Sequence, residues 1–279
     1  MRKYFLLLAL LTSSLLSGCD TPENPTNNNT IDLTIYSGIT MIRPLSVLAK
    51  EFEQQHSVKI DIKQGGSGFL YKTIKAEKKG DIFFPGTDSY RIKSLKQGET
   101  LLQEKVFVGY NRIALVVAKG NPKHLTNDLK QLTNPQYSVV LSSPESGAVG
   151  KNAKAILDKA GLTKAVYDNA TYFTTDSHRI FRAIKEQDAD VALNWYATTK
   201  WPETADFMDA ILLPESIAKP QKLEMSLLSY SKKPNLTIQF MNFASSKHGL
   251  EVFAEYGFLT DEELQIALKN ITPIAERVQ

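Results

Sequence analysis

From Ile31 onward the hydrophobic positions switch between two periods. Ile31–Tyr36 alternates apolar with polar residues, the two-residue period of a half-buried strand. Pro44–Gln54 then places Leu45, Leu48, Ala49 and Phe52 at helical spacing, and Val58–Ile62 alternates again. Phe69–Lys78 reads as a lysine-rich helix, Asp81–Phe84 as a short buried strand and Asp88–Lys96 as a further helix. Strand, small-residue loop, helix and strand in this order predict an α/β fold.

The second half follows the same grammar. Asn111–Ala118 (NRIALVVA) is a continuous apolar run, suited to a strand at a crossing between two lobes. Tyr137–Leu141, Ala170–Phe173 and Val191–Trp195 are predicted strands. Helices are predicted over Gly150–Ala160, closed by Gly161, and over Ile180–Gln187. Leu223–Ser229 is the predicted return strand, with helices after it near Ile238–Ser245, Gly249–Tyr256 and Asp261–Lys269. The chain shows no internal repeat and no heptad run.

The first thirty residues obey different rules. Arg2 and Lys3 precede an apolar stretch, Tyr4–Leu11 with Leu15 and Leu16, that is interrupted by Thr12-Ser13-Ser14 and ends in small residues. That is the layout of a secretory signal rather than a membrane span. Leu16-Ser17-Gly18-Cys19 resembles the lipobox of bacterial lipoproteins, which implies cleavage before a lipid-modified Cys19. Cys19 is the only cysteine, so internal disulfides and cysteine-based zinc cages are excluded. Asp20 after it implies, by resemblance to enterobacterial lipoproteins, retention at the outer face of the inner membrane. Residues 20–30 (DTPENPTNNNT) are polar, carry two prolines and read as a flexible tether.

Composition narrows the function. With 279 residues, 42% hydrophobic and 23% charged, the chain can bury a core as one large domain or two lobes. A formal charge of +3, falling to +1 once Arg2 and Lys3 leave with the signal, argues against nucleic acid as a partner. The four histidines, His56, His124, His178 and His248, have no metal-ligand spacing, so no metal site is expected.

Four loops share one arrangement in which a strand ends, small residues turn the chain and a helix begins: 37–40 (SGIT), 65–68 (GGSG), 146–150 (SGAVG) and 174–177 (TTDS). A helix N-terminus offers free N–H groups and about half a positive charge. Glycines allow close approach and hydroxyls add donors. In open α/β sheets such loops gather at the carboxyl ends of the strands. Four of them predict a shared anion site.

Taken in order, these segments resemble the periplasmic molybdate-binding protein family, the solute-binding component of an ABC importer. The resemblance covers nearly the whole mature chain. It rests on Tyr36–Thr40, on Gly65-Gly66-Ser67-Gly68 followed by Phe69-Leu70, and on Gly80-Asp81-Ile82-Phe83. It continues through Asn111–Pro122, Pro144-Glu145-Ser146 with Gly150-Lys151, Ala189–Ala192 with Tyr196-Ala197-Thr198, and Tyr256-Gly257-Phe258. It implies a two-lobed periplasmic binding fold of type II, with the first lobe from 31–113 and 222–279 and the second from 114–221. It implies a tetrahedral oxyanion such as molybdate or tungstate, held by Thr40, Ser67, the backbone of Val149 and Tyr196, with a further N–H from Ile180. It also implies an inner-membrane ABC permease as partner and a monomer at work.

Arg43 and Arg179 follow two of the loops and are further candidates. An arginine pair would suit phosphate, a phosphate ester or a small carboxylate through bidentate bonds. Protonated phosphate would also want an acceptor, for which Asp176 is nearest. A colonisation or signalling lipoprotein that binds an anion without feeding a transporter is a separate reading. Catalysis is disfavoured: 65–69 (GGSGF) fails the nucleophile elbow at its last position. Residues 145–152 (ESGAVGKN) lack the first Gly and final Ser/Thr of a P-loop, and no cofactor is expected.

Overall fold

The structure is a computed structural model that describes residues 30–98 and 102–275. The expected signal (1–18), Cys19 and all of the tether but its last residue lie outside the described residues.

Two five-stranded mixed sheets carry the fold. The first is built from β1 (Leu33–Gly38), β2 (Ile60–Gly65), β3 (Ile82–Phe84), β4 (Leu102–Asn111) and β10 (Gln221–Leu228), in the order β2-β1-β3-β10-β4. The second contains β5 (Ile113–Ala118), β6 (Val139–Ser142), β7 (Ala170–Thr174), β8 (Val191–Trp195) and β9 (Met208–Leu212), in the order β7-β6-β8-β5-β9. In each sheet four strands run one way and one, β10 or β5, runs against them, so the two sheets repeat one plan. The chain leaves the first sheet at Arg112 and returns between Leu212 and Gln221. The result is the two-lobed α/β architecture of a type II periplasmic binding protein.

Helices sandwich both sheets. In the first lobe α1 (Ile42–His56) buries Leu45, Leu48, Ala49 and Phe52, one stripe at 3.6-residue spacing, beside Leu33 and Ile35. It stops where Ser57 turns left-handed at φ 53°. On that face α7 (Pro234–Ala244) and α8 (Lys247–Glu255) complete the core, and α9 (Asp261–Lys269) packs on α8. On the other face α2 (Ser67–Glu77) and α3 (Ser89–Lys96) bring Leu70, Tyr71, Ile74 and Tyr90 against Tyr36 and Phe83. In the second lobe α4 (Ala148–Ala160), α5 (Thr163–Asn169) and α6 (Ser177–Lys185) enclose the buried strands β5, β6 and β8. Gly161, at φ 68°, ends α4 in the left-handed conformation that favours glycine.

Three elements escape the hydrophobic pattern: β4, α5 and β9. β4 and β9 are edge strands, and an edge needs no unbroken apolar run: Glu104 and Lys105 are exposed while Val106 and Val108 are buried. The apolar run 111–118 is divided at Arg112, so the crossing is a break between two strands rather than one strand.

Candidate functional site

Helices α1, α2, α4 and α6 begin two to three residues earlier than the apolar periodicity predicts, at Ile42, Ser67, Ala148 and Ser177. A single 3-10 turn, Ile39–Met41, leads into α1. The opening residues of the four helices, Ile42-Arg43, Ser67-Gly68, Ala148-Val149 and Ser177-His178-Arg179, are too few to show an apolar stripe. They all begin at carboxyl ends of parallel strands and converge on one hollow between the lobes.

Three of these starts share a cap chemistry. Gly38 precedes the 3-10 turn, Gly66 precedes α2 and Gly147 precedes α4, and none of the three has a side chain on its first amides. An α-helix leaves its first four N–H groups without intrahelical partners, and a glycine cap adds none. At Gly66 the glycine is dictated by proximity, since a Cβ there would lie 2.4 Å from the Ser146 carbonyl oxygen across the cleft. The fourth start is capped: Asp176 accepts the Arg179 N–H at 3.0 Å and the Thr175 hydroxyl at 2.8 Å.

Side chains complete the donor set. Thr40, Ser67 and Ser177 are buried on the wall of the hollow. Ser67 Oγ accepts the Gly86 N–H at 3.1 Å, which leaves its hydroxyl hydrogen to donate. Trp195, at the end of β8, is 2% exposed and lines the same space, and its indole N–H has no hydrogen-bond partner among the described residues. That nitrogen sits 3.7 Å from where a Cβ on Gly86 would project, and Asn111 Nδ2 fixes Gly86 by donating to its carbonyl at 2.9 Å. No lysine, arginine or histidine lines the hollow. Its donors are backbone amides, hydroxyls and one indole, and the Asp176 carboxylate is the one charged side chain on its wall. The hollow is small, about 20 Å3, where about 10–15 Å3 already holds a water.

Two bridges flank it. Lys151 of α4 donates to the Tyr90 hydroxyl of α3 at 3.3 Å and lies 4.4 Å over that ring. Burial, then Lys93 and Lys72, hold the Lys151 ammonium below its ordinary pKa, and burial pushes Tyr90 up to about 12. On the other side Arg43 of α1 pairs with Glu203 and stacks 4.1 Å over Trp201, both from the segment after β8.

Of the residues expected to bind, Thr40, Ser67 and Val149 line the hollow. The other four do not. Ile180 is fully buried and its N–H donates to the Asp176 carbonyl at 3.3 Å, because three earlier residues already belong to the helix. Tyr196 turns away from the hollow: its N–H donates to Arg112 at 2.7 Å, and its ring lies by Gly257 and under Lys200. Arg43 is spent on Glu203 and Trp201, and Arg179 faces outward with its Nε 3.5 Å from Asp176. Sequence reasoning missed Gly86, Ser177 and Trp195. Only Ser177 carried a signal, lying in the fourth small-residue loop.

A larger cavity, about 430 Å3, runs along β4 beside α8 and α9. Among the described residues, no group of three or more His, Cys, Asp and Glu is placed to hold a metal ion, and no helix is long and apolar enough to cross a membrane.

Residues 33–259 match a family described as bacterial extracellular solute-binding protein. A putative binding protein of Haemophilus influenzae is 23% identical over 229 residues, spanning 82% of this chain and 91% of that protein. The periplasmic molybdate-binding protein of Azotobacter vinelandii has a similar structure, with TM-score 0.70, 15% identity, and 82% of this chain and 99% of that one covered. The sulfate-binding protein SubI of Mycobacterium tuberculosis also gives a TM-score of 0.70, with 16% identity over 88% and 92% of the chains. At these identities the structural likeness speaks for the fold.

Proposed function

This chain belongs to the bacterial extracellular solute-binding protein family, and on that premise we propose that it captures a small, fully ionised tetrahedral oxyanion of the molybdate, tungstate or sulfate type. The reading rests on one observation: three helix starts with glycine caps share a hollow with three hydroxyls and an unpaired indole N–H. The amides and the indole only donate and the three hydroxyls are able to donate, a set that suits an ion that only accepts. The carboxylate on the wall, Asp176, is occupied in capping its own helix. A protonated phosphate would therefore meet donors with its own O–H, which supports the fully ionised class over phosphate.

Closure follows from where the donors sit. Thr40, Ser67 and Gly66 belong to the first lobe, Val149, Ser177 and Trp195 to the second. The anion touches both sets only when the lobes meet, so it favours the closed state by differential affinity. An ABC permease in the inner membrane would read that state, and a lipid on Cys19 would hold the protein on the periplasmic side.

Titration calorimetry with molybdate, tungstate, sulfate, phosphate and small carboxylates tests the ligand. Tight binding of one or more of the first three, flat with pH across neutrality, is expected. A folded protein that binds none of them, or that prefers hydrogen phosphate, would overturn the reading. For the anchor, Cys19→Ala should abolish lipid labelling and leave the precursor uncut.

A further inference from the structure

The first sheet has a second unusual end. Opposite the hollow, at the amino ends of β1 and β3, lies a cavity of about 310 Å3 bordered by Lys63, Lys78, Lys79, Lys232 and Lys233. Asp61 stands near enough to Tyr36 to act on it, and three further carboxylates face these lysines, each already engaged. Asp32 accepts from Lys233 Nζ at 2.6 Å and from the Lys59 N–H at 2.8 Å. Asp81 accepts from the Thr34 N–H at 2.8 Å and the Ser231 hydroxyl at 2.6 Å. Glu77 pairs with Lys79 at 2.9 Å and takes the Tyr36 hydroxyl at 3.5 Å.

Lys78 and Lys232 are exposed and have no ion-pair partner among the described residues, and Lys63 Nζ lies 5.5 Å over the Tyr36 ring. Ile31 stands on the rim, 53% exposed. Unsatisfied ammonium groups around an exposed aliphatic side chain are the composition of a surface that meets a lipid interface.

Position adds a second argument. Residues 20–30 precede Ile31 in sequence, and Ile31 borders the cavity. Eleven residues span at most about 40 Å. If Cys19 carries lipid, the lysines are confined to the neighbourhood of the bilayer, where the field of an anionic surface acts within about one Debye length, near 8 Å.

We propose that this lysine-lined end of the first lobe docks on anionic phospholipid headgroups, the ammonium groups meeting headgroup phosphates and Ile31 the interface. This second contact rests on the lipid-anchor reading for its confinement, not for its chemistry. Docked so, the hollow stands about 20 Å above the surface, the length of six-residue β1.

The test uses the lipid-modified full chain in nanodiscs of phosphatidylcholine alone or mixed with phosphatidylglycerol, with lysine acylation read by mass spectrometry. Lys78 and Lys232 should acylate several-fold more slowly only in the anionic discs, and high salt should erase the difference. A Lys63→Glu, Lys78→Glu, Lys232→Glu variant should lose the protection of Lys79 and Lys233 while keeping its oxyanion affinity. Equal acylation in both discs overturns the proposal, and so does protection by inorganic phosphate in neutral discs, which would mark a small-ion site. The mass of the Cys19 peptide reports the anchor separately. If Cys19 is unmodified, preferential retention on phosphatidylglycerol vesicles is still required for the docking face to stand.

Discussion

Helices α8 and α9 on the outside of the first lobe start in the opposite way from α2 and α4 in the cleft. Ser246 caps α8 by accepting the Gly249 N–H at 3.3 Å. Thr260 and Glu263 form a reciprocal capping box at α9. The cleft helices begin at Gly66 and Gly147 with no side chain on their amides. The contrast holds for these two pairs: α6 at the hollow is capped by Asp176, and α3, α5 and α7 away from it have no side-chain cap. A glycine cap gives up only a few tenths of a kcal/mol against Ser or Asp, so the cleft carries a small local stability deficit that a bound anion would offset by mass action.

The harshest way to break this contrast is to give a cleft helix the kind of cap its outer counterparts have. Gly147→Asp is suited to it, since the nearest atoms to a Cβ there lie 3.5 Å away. The carboxylate should satisfy the α4 amides, move stability by only a few tenths of a kcal/mol and repel the ligand. We expect oxyanion affinity to fall more than about 100-fold, or about 2.8 kcal/mol at 1.4 per decade, by calorimetry.

Removing single donors is the next step down. Ser67→Ala and Trp195→Phe should each weaken binding about 10- to 100-fold, the range for a hydrogen bond to a charged group. Trp195→Phe with unchanged affinity would take the indole out of the ligand shell.

Arg43→Ala removes a contact between the lobes rather than one to the anion. A loss of about 1 kcal/mol or less is expected, by the same factor for every oxyanion in the panel. A change in their ranking would instead place the guanidinium at the ligand. Thr260→Ala sharpens the other half of the comparison. It should lower the melting temperature by about 2–4 °C and leave binding unmoved.

The sequence disclosed the turns better than it disclosed the donors. Small-residue loops at 37–40, 65–68 and 146–150 stood out because they interrupt apolar runs, and each borders the hollow. Helix starts were displaced because a first turn such as Ala148-Val149-Gly150 is recognisable only through its geometry. Trp195 reads as the last residue of a buried strand, and nothing in its neighbours says that one edge of its ring meets empty space. Tyr196, one position later, looked the better ligand by resemblance. It falls in a 3-10 turn that carries its ring toward Gly257 instead. Arg43 and Arg179 illustrate a general difficulty: a cation beside an anion site is ambiguous until its carboxylate partner is located.

The matching order of strands in the two sheets has a mechanical corollary. β4 continues into β5 and β9 into β10, while β4 pairs with β10 and β5 with β9. Two parallel straps thus join the halves side by side, like the pins of a door. Twisting one half against the other would shear these straps past each other, whereas swinging would bend both together, so the molecule is left with one soft direction of travel.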